Sequence, residues 1–418
     1  MNDIITSEST PDSGEMTAQE KRILVFTCTC HFLTHMFVLV FPAVTIPIVN
    51  SLGIPLEDVI QLSFFMYLLY GVGALPAGNI VDRWQAKWML LIGVFAMGAG
   101  LALAGALATA RAMPLCLMLV GLGASIYHPA GLALISRTIE RRGYALGING
   151  VWGNLGIASA PLVTGILTWL FGWQTAFVVM GLAAIASGLA LAALRVDETT
   201  TEGDLRKSPD GGGYMKYFVV LCFALVFAGL TYRGNMVLLP AYIELKTSFF
   251  HNFIGSLSFI EMQGSKTLAA TILTSAVLVV GVFGQMIGGR VADRYELRYA
   301  YLAVHAASIP FLVGMAFTTD YLLVFCAAMF VVFSLGMQPI ENSLIAAFTP
   351  TRWRSTGFAV KFVLNFGVGS VVVYLIGFVK TRYALETVYL FLAGFAFLLV
   401  SSIIALVVTS RHVPDIRN

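Results

Sequence analysis

The sequence predicts an all-α membrane protein of twelve transmembrane helices, arranged as two six-helix halves related by a parallel repeat. Three observations carry that prediction. Hydrophobic residues make up 58% of the 418 positions and charged residues only 11%, where a soluble domain carries about 25% charged residues. The apolar residues gather into twelve runs, each long enough to cross a bilayer. Landmarks in the second half of the chain also repeat those of the first at a nearly constant offset.

The mean hydropathy of +0.85 leaves too little charge to clothe a water-exposed surface. Five scattered cysteines exclude a disulfide scaffold. A net charge of +3 with no basic stripe gives no support to nucleic-acid binding.

The elements follow from a simple ruler, about 20 apolar residues per helical span. Residues 1–21 are polar and read as a cytosolic tail rather than a signal peptide. The expected spans are 22–49, 58–81, 87–109, 112–137, 144–170, 174–194, 215–243, 266–291, 297–317, 320–349, 356–379 and 384–409. Strands of a membrane barrel would be half as long and alternate in polarity. Placing both termini in the cytosol puts 18 of the 25 Lys and Arg in cytosolic segments, as the positive-inside rule requires. The charged, glycine-rich stretch 195–213 at the midpoint reads as a linker between an N-terminal half, 22–194, and a C-terminal half, 214–410. A cytosolic tail, 411–418, closes the chain.

The repeat is visible in the loops. Gly78-Asn-Ile-Val-Asp82-Arg83 and then Lys87 stand between spans 2 and 3, and Gly289-Arg-Val-Ala-Asp293-Arg294 and then Arg298 between spans 8 and 9, an offset of 211. Asn154-Leu-Gly156 matches Asn365-Phe-Gly367 at the same offset, and His128-Pro129 matches Gln338-Pro339 at 210. Leu33-Thr34 matches Leu230-Thr231 at 197, the shortfall reflecting a longer external loop after span 7. Such duplications place a substrate site between the two halves.

The paired G-x-x-x-D-R segments resemble the signature of the major facilitator superfamily, over about residues 22–410. Gly147, Gly156, Ala160-Pro161 and Gly165 in span 5 resemble the family's antiporter motif, while Leu117 stands near the place of the arginine common in span 4 of proton antiporters. Cys30-His31-Phe32, Tyr127-His128-Pro129 and Gly153-Asn154-Leu155-Gly156 are similar to the fosmidomycin-resistance branch of efflux proteins. The resemblance implies conformational gating by Gly78, Asp82 and Arg83, by Gly289, Asp293 and Arg294, and by Gly147, Gly156 and Pro161. Physically, a carboxylate at a helix end that faces a neighbouring helix dipole in one tilt of the halves biases a two-state equilibrium.

Ionisable residues inside a bilayer are costly, and each is a functional candidate. The resemblance implies that spans 1, 4, 7 and 10 line a central cavity. The candidate substrate-binding residues are His31 and His35 on span 1, His128 on span 4, Arg233 on span 7, Glu341 on span 10 and Lys361 on span 11. The remaining spans are cleaner, with His305 the main exception.

Glu341 and Lys361 reach similar depths, where an ion pair offsets part of each burial cost. Glu341 is the carboxylate well inside a span and, with His35, is the expected proton-coupling group; a permanent latch between two helices is the alternative. Arg233 has no carboxylate nearby in sequence. It either binds an anionic ligand or snorkels to the outer interface. Arg233 and Lys361 against Glu341 leave a formal positive excess, which favours organic anions such as phosphonates or carboxylates.

His31 and His35 stand at i and i+4, with Cys28 just before them. That set reads as packing and hydrogen-bonding residues sooner than as a metal site, and no metal or cofactor is expected. His128 precedes Pro129, which frees a carbonyl one turn earlier; it is either a proton relay or substrate donor, or is satisfied locally. Tyr127, Trp152, Tyr232 and Phe362 either shape an apolar wall or face lipid.

No catalytic triad, metal-hydrolase or phosphate-loop constellation stands out, so an enzyme is not expected. The expected function is secondary active transport by alternating access, as proton-coupled export of a small anionic or amphipathic organic compound. Symport uptake, or movement of a metal ion or metal complex, is the alternative. The expected partners are that small molecule, protons and the lipid bilayer, with no nucleic acid. The protein is expected to work as a monomer in the cytoplasmic (inner) membrane.

Overall fold

The computed structural model describes residues 16–81, 83–198, 214–256, 265–350 and 354–416. Asp82, most of the expected linker and the outermost residues of both tails lie outside the described residues. Ten helices among the described residues are long and apolar enough to cross a membrane. The longest, Arg142–Ala193, holds spans 5 and 6 and divides at Gly172, whose φ of +82° only glycine adopts readily. The first span, an interrupted helix, completes the twelve.

Span 1 begins where a capping box says it should. The Thr17 hydroxyl accepts the Glu20 N–H at 3.2 Å, and the Glu20 carboxylate accepts the Thr17 N–H at 2.8 Å. The helix Ala18–Val38 is followed by short helices Val40–Ala43 and Thr45–Leu52. Pro42 and Pro47 explain the interruptions, because neither supplies the N–H that the carbonyl four residues earlier needs. The remaining spans are Leu56–Val81, Ala86–Leu107, Met113–Thr138, Met215–Lys246, Lys266–Arg294, Leu297–Phe317, Asp320–Phe348, Thr356–Lys380 and Thr387–Thr409. A short helix, Phe249–Gly255, occupies part of the long loop after span 7.

The repeat recurs as geometry. Lys87, at the start of span 3, donates to Ala192 O at 3.0 Å and Leu194 O at 2.7 Å, capping the end of span 6. Arg298, its repeat equivalent at the start of span 9, donates to the carbonyl of Ser410 and, at 3.4 Å, to that of Val413, capping the end of span 12. The last carbonyls of a helix lack intrahelical partners and carry the negative end of its dipole, so a cation suits both places. Each base also has a carboxylate near it. Glu198 accepts the Ala86 and Lys87 N–H groups at 2.9 and 2.8 Å, and Glu296 accepts Arg298 Nε at 2.5 Å.

The halves pack against one another along spans 1, 5, 7 and 8. Leu39 and Pro42 of span 1, Pro161 of span 5, Met236, Leu239 and Pro240 of span 7, and Thr274 and Leu278 of span 8 leave only about 10 Å³ between them. Leu162 N–H donates across the interface to Ser275 Oγ at 2.8 Å. Spans 2 and 11 cross so tightly that a Cβ on Gly71 would meet the backbone nitrogen of Gly367. The backbone keeps a helical conformation through Pro161.

Of the expected gating residues, Gly156 packs closely, against the Phe32 carbonyl. Gly147 and Gly289 meet nothing within 4 Å, and Gly78 makes an ordinary contact with Pro129. Asp293 and Arg294 are exposed, and Asp293 makes no hydrogen bond or ion pair among the described residues.

Candidate functional site

Two polar clusters face one another where the halves meet. The N-terminal one is built on a helix break. Pro129 cannot bond the Ser125 carbonyl, and span 4 divides there into Met113–Ser125 and Tyr127–Thr138. This break presents Tyr127 and His128 to span 1. His31 stacks on Tyr127 with ring centroids 4.3 Å apart. Its Nδ1 lies 2.8 Å from the Asn149 carbonyl, which fixes Nδ1 as the protonated nitrogen and leaves the Nε2 lone pair free. That Nε2 lies 3.1 Å from Nε2 of His35. The His128 ring sits 5.4 and 5.5 Å from those of His31 and His35, and its Nε2 is 3.3 Å from the Tyr70 hydroxyl. Sequence spacing grouped Cys28 with the two histidines. The structure instead gives that place to His128, and Cys28 Sγ accepts from Asn149 Nδ2 at 3.8 Å.

The C-terminal cluster centres on Glu341, whose side chain is fully buried. Lys361 Nζ lies 2.8 Å from Glu341 Oε1 and donates to Asn342 Oδ1 at 2.6 Å. The Tyr301 hydroxyl donates to Glu341 Oε2 at 2.7 Å, and Asn365 Nδ2 approaches Oε1 at 3.4 Å. Every oxygen of a buried carboxylate is thus answered, which is what makes its burial tolerable. His305, the exception among the outer spans, stands edge-on to Tyr301 at 4.6 Å, with Nε2 unpartnered.

Arg233 lies between the clusters and belongs to neither. It is 2% exposed, which removes the snorkelling alternative. Its guanidinium sits over the Tyr67 ring at 4.2 Å and the Phe366 ring at 4.8 Å. Its Nε and Nη2 have no hydrogen-bond partner among the described residues. Aromatic faces offset part of the cost of burying a cation, yet two unanswered N–H donors remain expensive. The Glu341–Lys361 pair is neutral as a unit, so Arg233 supplies the uncompensated positive charge.

The two clusters touch. Phe362, next to Lys361, stacks on His128 at 4.4 Å, and Phe366 stacks on Tyr70 at 4.6 Å. Both phenylalanines lie where span 11 changes character, as α-helix gives way to a π-helical turn at Val363–Gly367 and a 3₁₀ turn at Val368–Val371. Such turns are frequent at functional sites.

The structure therefore brings His31, His35 and His128 together, pairs Glu341 with Lys361, and leaves Arg233 between them. Tyr127 and Phe362 pack on His31 and His128 rather than facing lipid. Trp152 is 43% exposed and turns outward. Sequence reasoning did not single out Tyr67, Tyr70, Asn149 or Tyr301. Their signal was faint: Tyr67 and Tyr70 share a helical face, as do Tyr301 and His305.

The chain matches the family model of the Major Facilitator Superfamily over residues 26–246, just over half its length, and it belongs to that superfamily. The superfamily is one of transporters, not enzymes, and most of the relatives found are named as transporters. The chain is 26% identical over 332 residues to the 4-hydroxybenzoate transporter PcaK of Pseudomonas aeruginosa, covering 71% of each protein. It is 25% identical over 138 residues to a protein of Escherichia coli named as a probable L-galactonate transporter, a match that spans 32% of this chain and only 30% of that protein. Among solved structures it resembles a bacterial homolog of the human lysosomal transporter Spinster, in an inward-facing and unoccupied conformation. The TM-score there is 0.68 at 16% identity, over 95% of this chain and 96% of that one. That likeness is one of fold.

Proposed function

We propose that this protein is a proton-coupled exporter of small organic anions that works by alternating access, with residues 22–194 and 214–410 as its two moving halves. The observation that carries the anion is Arg233, a buried guanidinium with two unanswered donors at the meeting of the halves. A carboxylate or phosphonate oxygen placed there satisfies both donors and cancels the excess charge. Relatives named for 4-hydroxybenzoate and L-galactonate support this reading, because both compounds are anions at neutral pH.

Glu341 is the proposed proton carrier. Its carboxylate is shared among Lys361, Tyr301 and Asn365, all on helices of one half. Protonation weakens the pull on Lys361 and frees that helix to shift. Export rather than uptake is favoured by the antiporter-like glycines and proline of span 5 and by the similarity to the fosmidomycin-resistance branch. The Lys and Arg distribution supports a cytoplasmic-membrane protein with both termini in the cytosol. The whole site lies within one chain, which supports a monomer as the working unit.

The test uses acid-loaded inverted membrane vesicles, with lumenal pH read by a dye. Phosphonates and carboxylates should release protons from wild-type vesicles, and lipophilic cations should not. Glu341→Gln should abolish that release at equal protein level. Proton release by Glu341→Gln with unchanged pH dependence removes Glu341 from the mechanism, and a response to cations alone overturns the anion assignment.

A further inference from the structure

We propose that His31, His35 and His128 form a three-imidazole site for a divalent first-row transition metal ion, whose open coordination position receives the anion held by Arg233. The inference rests on the reading of this cavity as the transport site and names a metal–anion complex as its passenger.

The ligand geometry comes first. One ring nitrogen from each histidine lies within 4.8 Å of the other two. Zinc–imidazole bonds of 2.0–2.1 Å set the nitrogens of a tetrahedral site about 3.3 Å apart. The His31–His35 nitrogens, at 3.1 Å, already stand near that edge length. His128 completes the triangle by a movement on the order of 1 Å, and the break in span 4 gives its ring a segment able to make it.

The hydrogen bonding around the rings favours the same assignment. The Asn149 carbonyl takes the Nδ1 proton of His31, which is the outer-shell contact that orients metal-binding imidazoles and turns Nε2 towards an ion. Without an ion, His31 and His35 present Nε2 to Nε2, so one ring must supply the proton. His35 has no other hydrogen bond among the described residues, and no carboxylate bonds to any of the three. Three such rings on two different spans, His31 buried and His35 and His128 partly so, are poorly explained as packing.

Charge sets the class of passenger. The imidazoles are neutral ligands, so a bare dication would sit uncompensated in the membrane interior. Arg233 and His128 both pack on the Phe366 ring, at 4.8 Å for the guanidinium and 6.4 Å between the rings. A dication alone would be repelled there. An anion bound to the metal through one oxygen and to Arg233 through another answers both charges. Three protein nitrogens and an open fourth position are what such a ternary complex requires.

The experiment is a cobalt titration of the purified, metal-stripped full chain in detergent, read by visible absorption. The expected result is one equivalent of Co²⁺ per chain with the intense bands of four-coordinate cobalt. His35→Gln and His128→Gln should each weaken binding by at least about 100-fold, beyond the loss typical of outer-shell changes. His412→Gln, remote at the C-terminal tail, should bind as wild type. X-ray absorption of the zinc-loaded wild type gives a reading independent of variant folding, with three imidazoles and an oxygen ligand expected.

Absence of one-to-one cobalt binding by the wild type, binding that survives in both cluster variants, or a sulfur-containing zinc shell overturns the site. Anion flux in vesicles separates this inference from the transport reading. Flux undiminished by a chelator overturns the metal's part in the passenger. No flux with or without added Zn²⁺, together with intact cobalt binding, upholds the site and overturns the transport reading.

Discussion

Arg233 is where the chemistry of the cavity is least balanced. Its cost is set by two buried donors left unanswered among the described residues, each worth about 1–3 kcal/mol when left unmet. On the proposed reading, that cost is kept for an anion that enters. We expect Arg233→Ala to weaken an anionic substrate by about 2 kcal/mol, roughly 30-fold, and a neutral analogue of the same shape far less. Binding measured by calorimetry on both compounds checks this, and equal losses would remove the charge argument. Arg233→Ala should also leave the protein as stable as wild type or more so, because the unmet donors go with it.

The polar residues that read clearly from the sequence are those whose presence in a span is itself improbable. His31, His35, His128, Arg233, Glu341 and Lys361 stand out against apolar runs, and the structure gathers all six near where the halves meet. Their partners were illegible, because Tyr70, Asn149 and Tyr301 are ordinary in a membrane helix and acquire meaning only through the helix opposite. Likewise the Cys28 spacing suggested a partner for the histidines that three-dimensional packing replaced with His128, 93 residues or more away along the chain.

At the scale of elements, the two capping bases do unequal work. Arg298 is 4% exposed and is tied both to Glu296 and to the end of span 12. Removing one member of such a buried pair costs about 3 kcal/mol. Lys87 is only half-buried, and a cation at an accessible helix end contributes about 1 kcal/mol or less. Thermal unfolding in detergent should therefore rank Arg298→Ala well below Lys87→Ala. Equal losses would mean that the ion pair, rather than the cap, contributes little. The elements themselves were largely legible, since apolar length fixes a span with little ambiguity. The interruptions were less so: Pro42 and Pro47 break span 1, whereas span 5 stays helical through Pro161. A proline ends a helix only when no neighbouring group satisfies what it leaves open.

At the scale of the whole molecule, an ionisable contact joins the entrance of span 1 to the connection between spans 4 and 5. Glu20 Oε1 accepts the Glu140 N–H at 2.8 Å. Partial burial raises the carboxyl's pKa, but the backbone N–H groups of Glu140 and Thr17 and the Thr17 hydroxyl outweigh it and hold the pKa below its ordinary 4.5. A carboxyl depressed on folding stabilises the fold above its unfolded value, and that stability is lost as pH falls below 4.5 through the folded value. Hydrogen exchange at residues 139–142 should accordingly quicken on acidification below that value in wild type and be insensitive to it in Glu20→Gln. Identical acid responses in the two proteins would exclude Glu20 as the tie.

The equivalent caps of Lys87 and Arg298 also bear on mechanics. Each fastens the outermost pair of helices in its own half, spans 3 and 6 or spans 9 and 12, at one end. A half braced in this way turns as a lever rather than flexing as a spring. A displacement of a few tenths of an ångström at the His128–Phe362 stack, near the pivot, is then multiplied at the far ends of the helices. In the proposed mechanism, the small events of ligand and proton capture near the middle thereby open a passage at the surface.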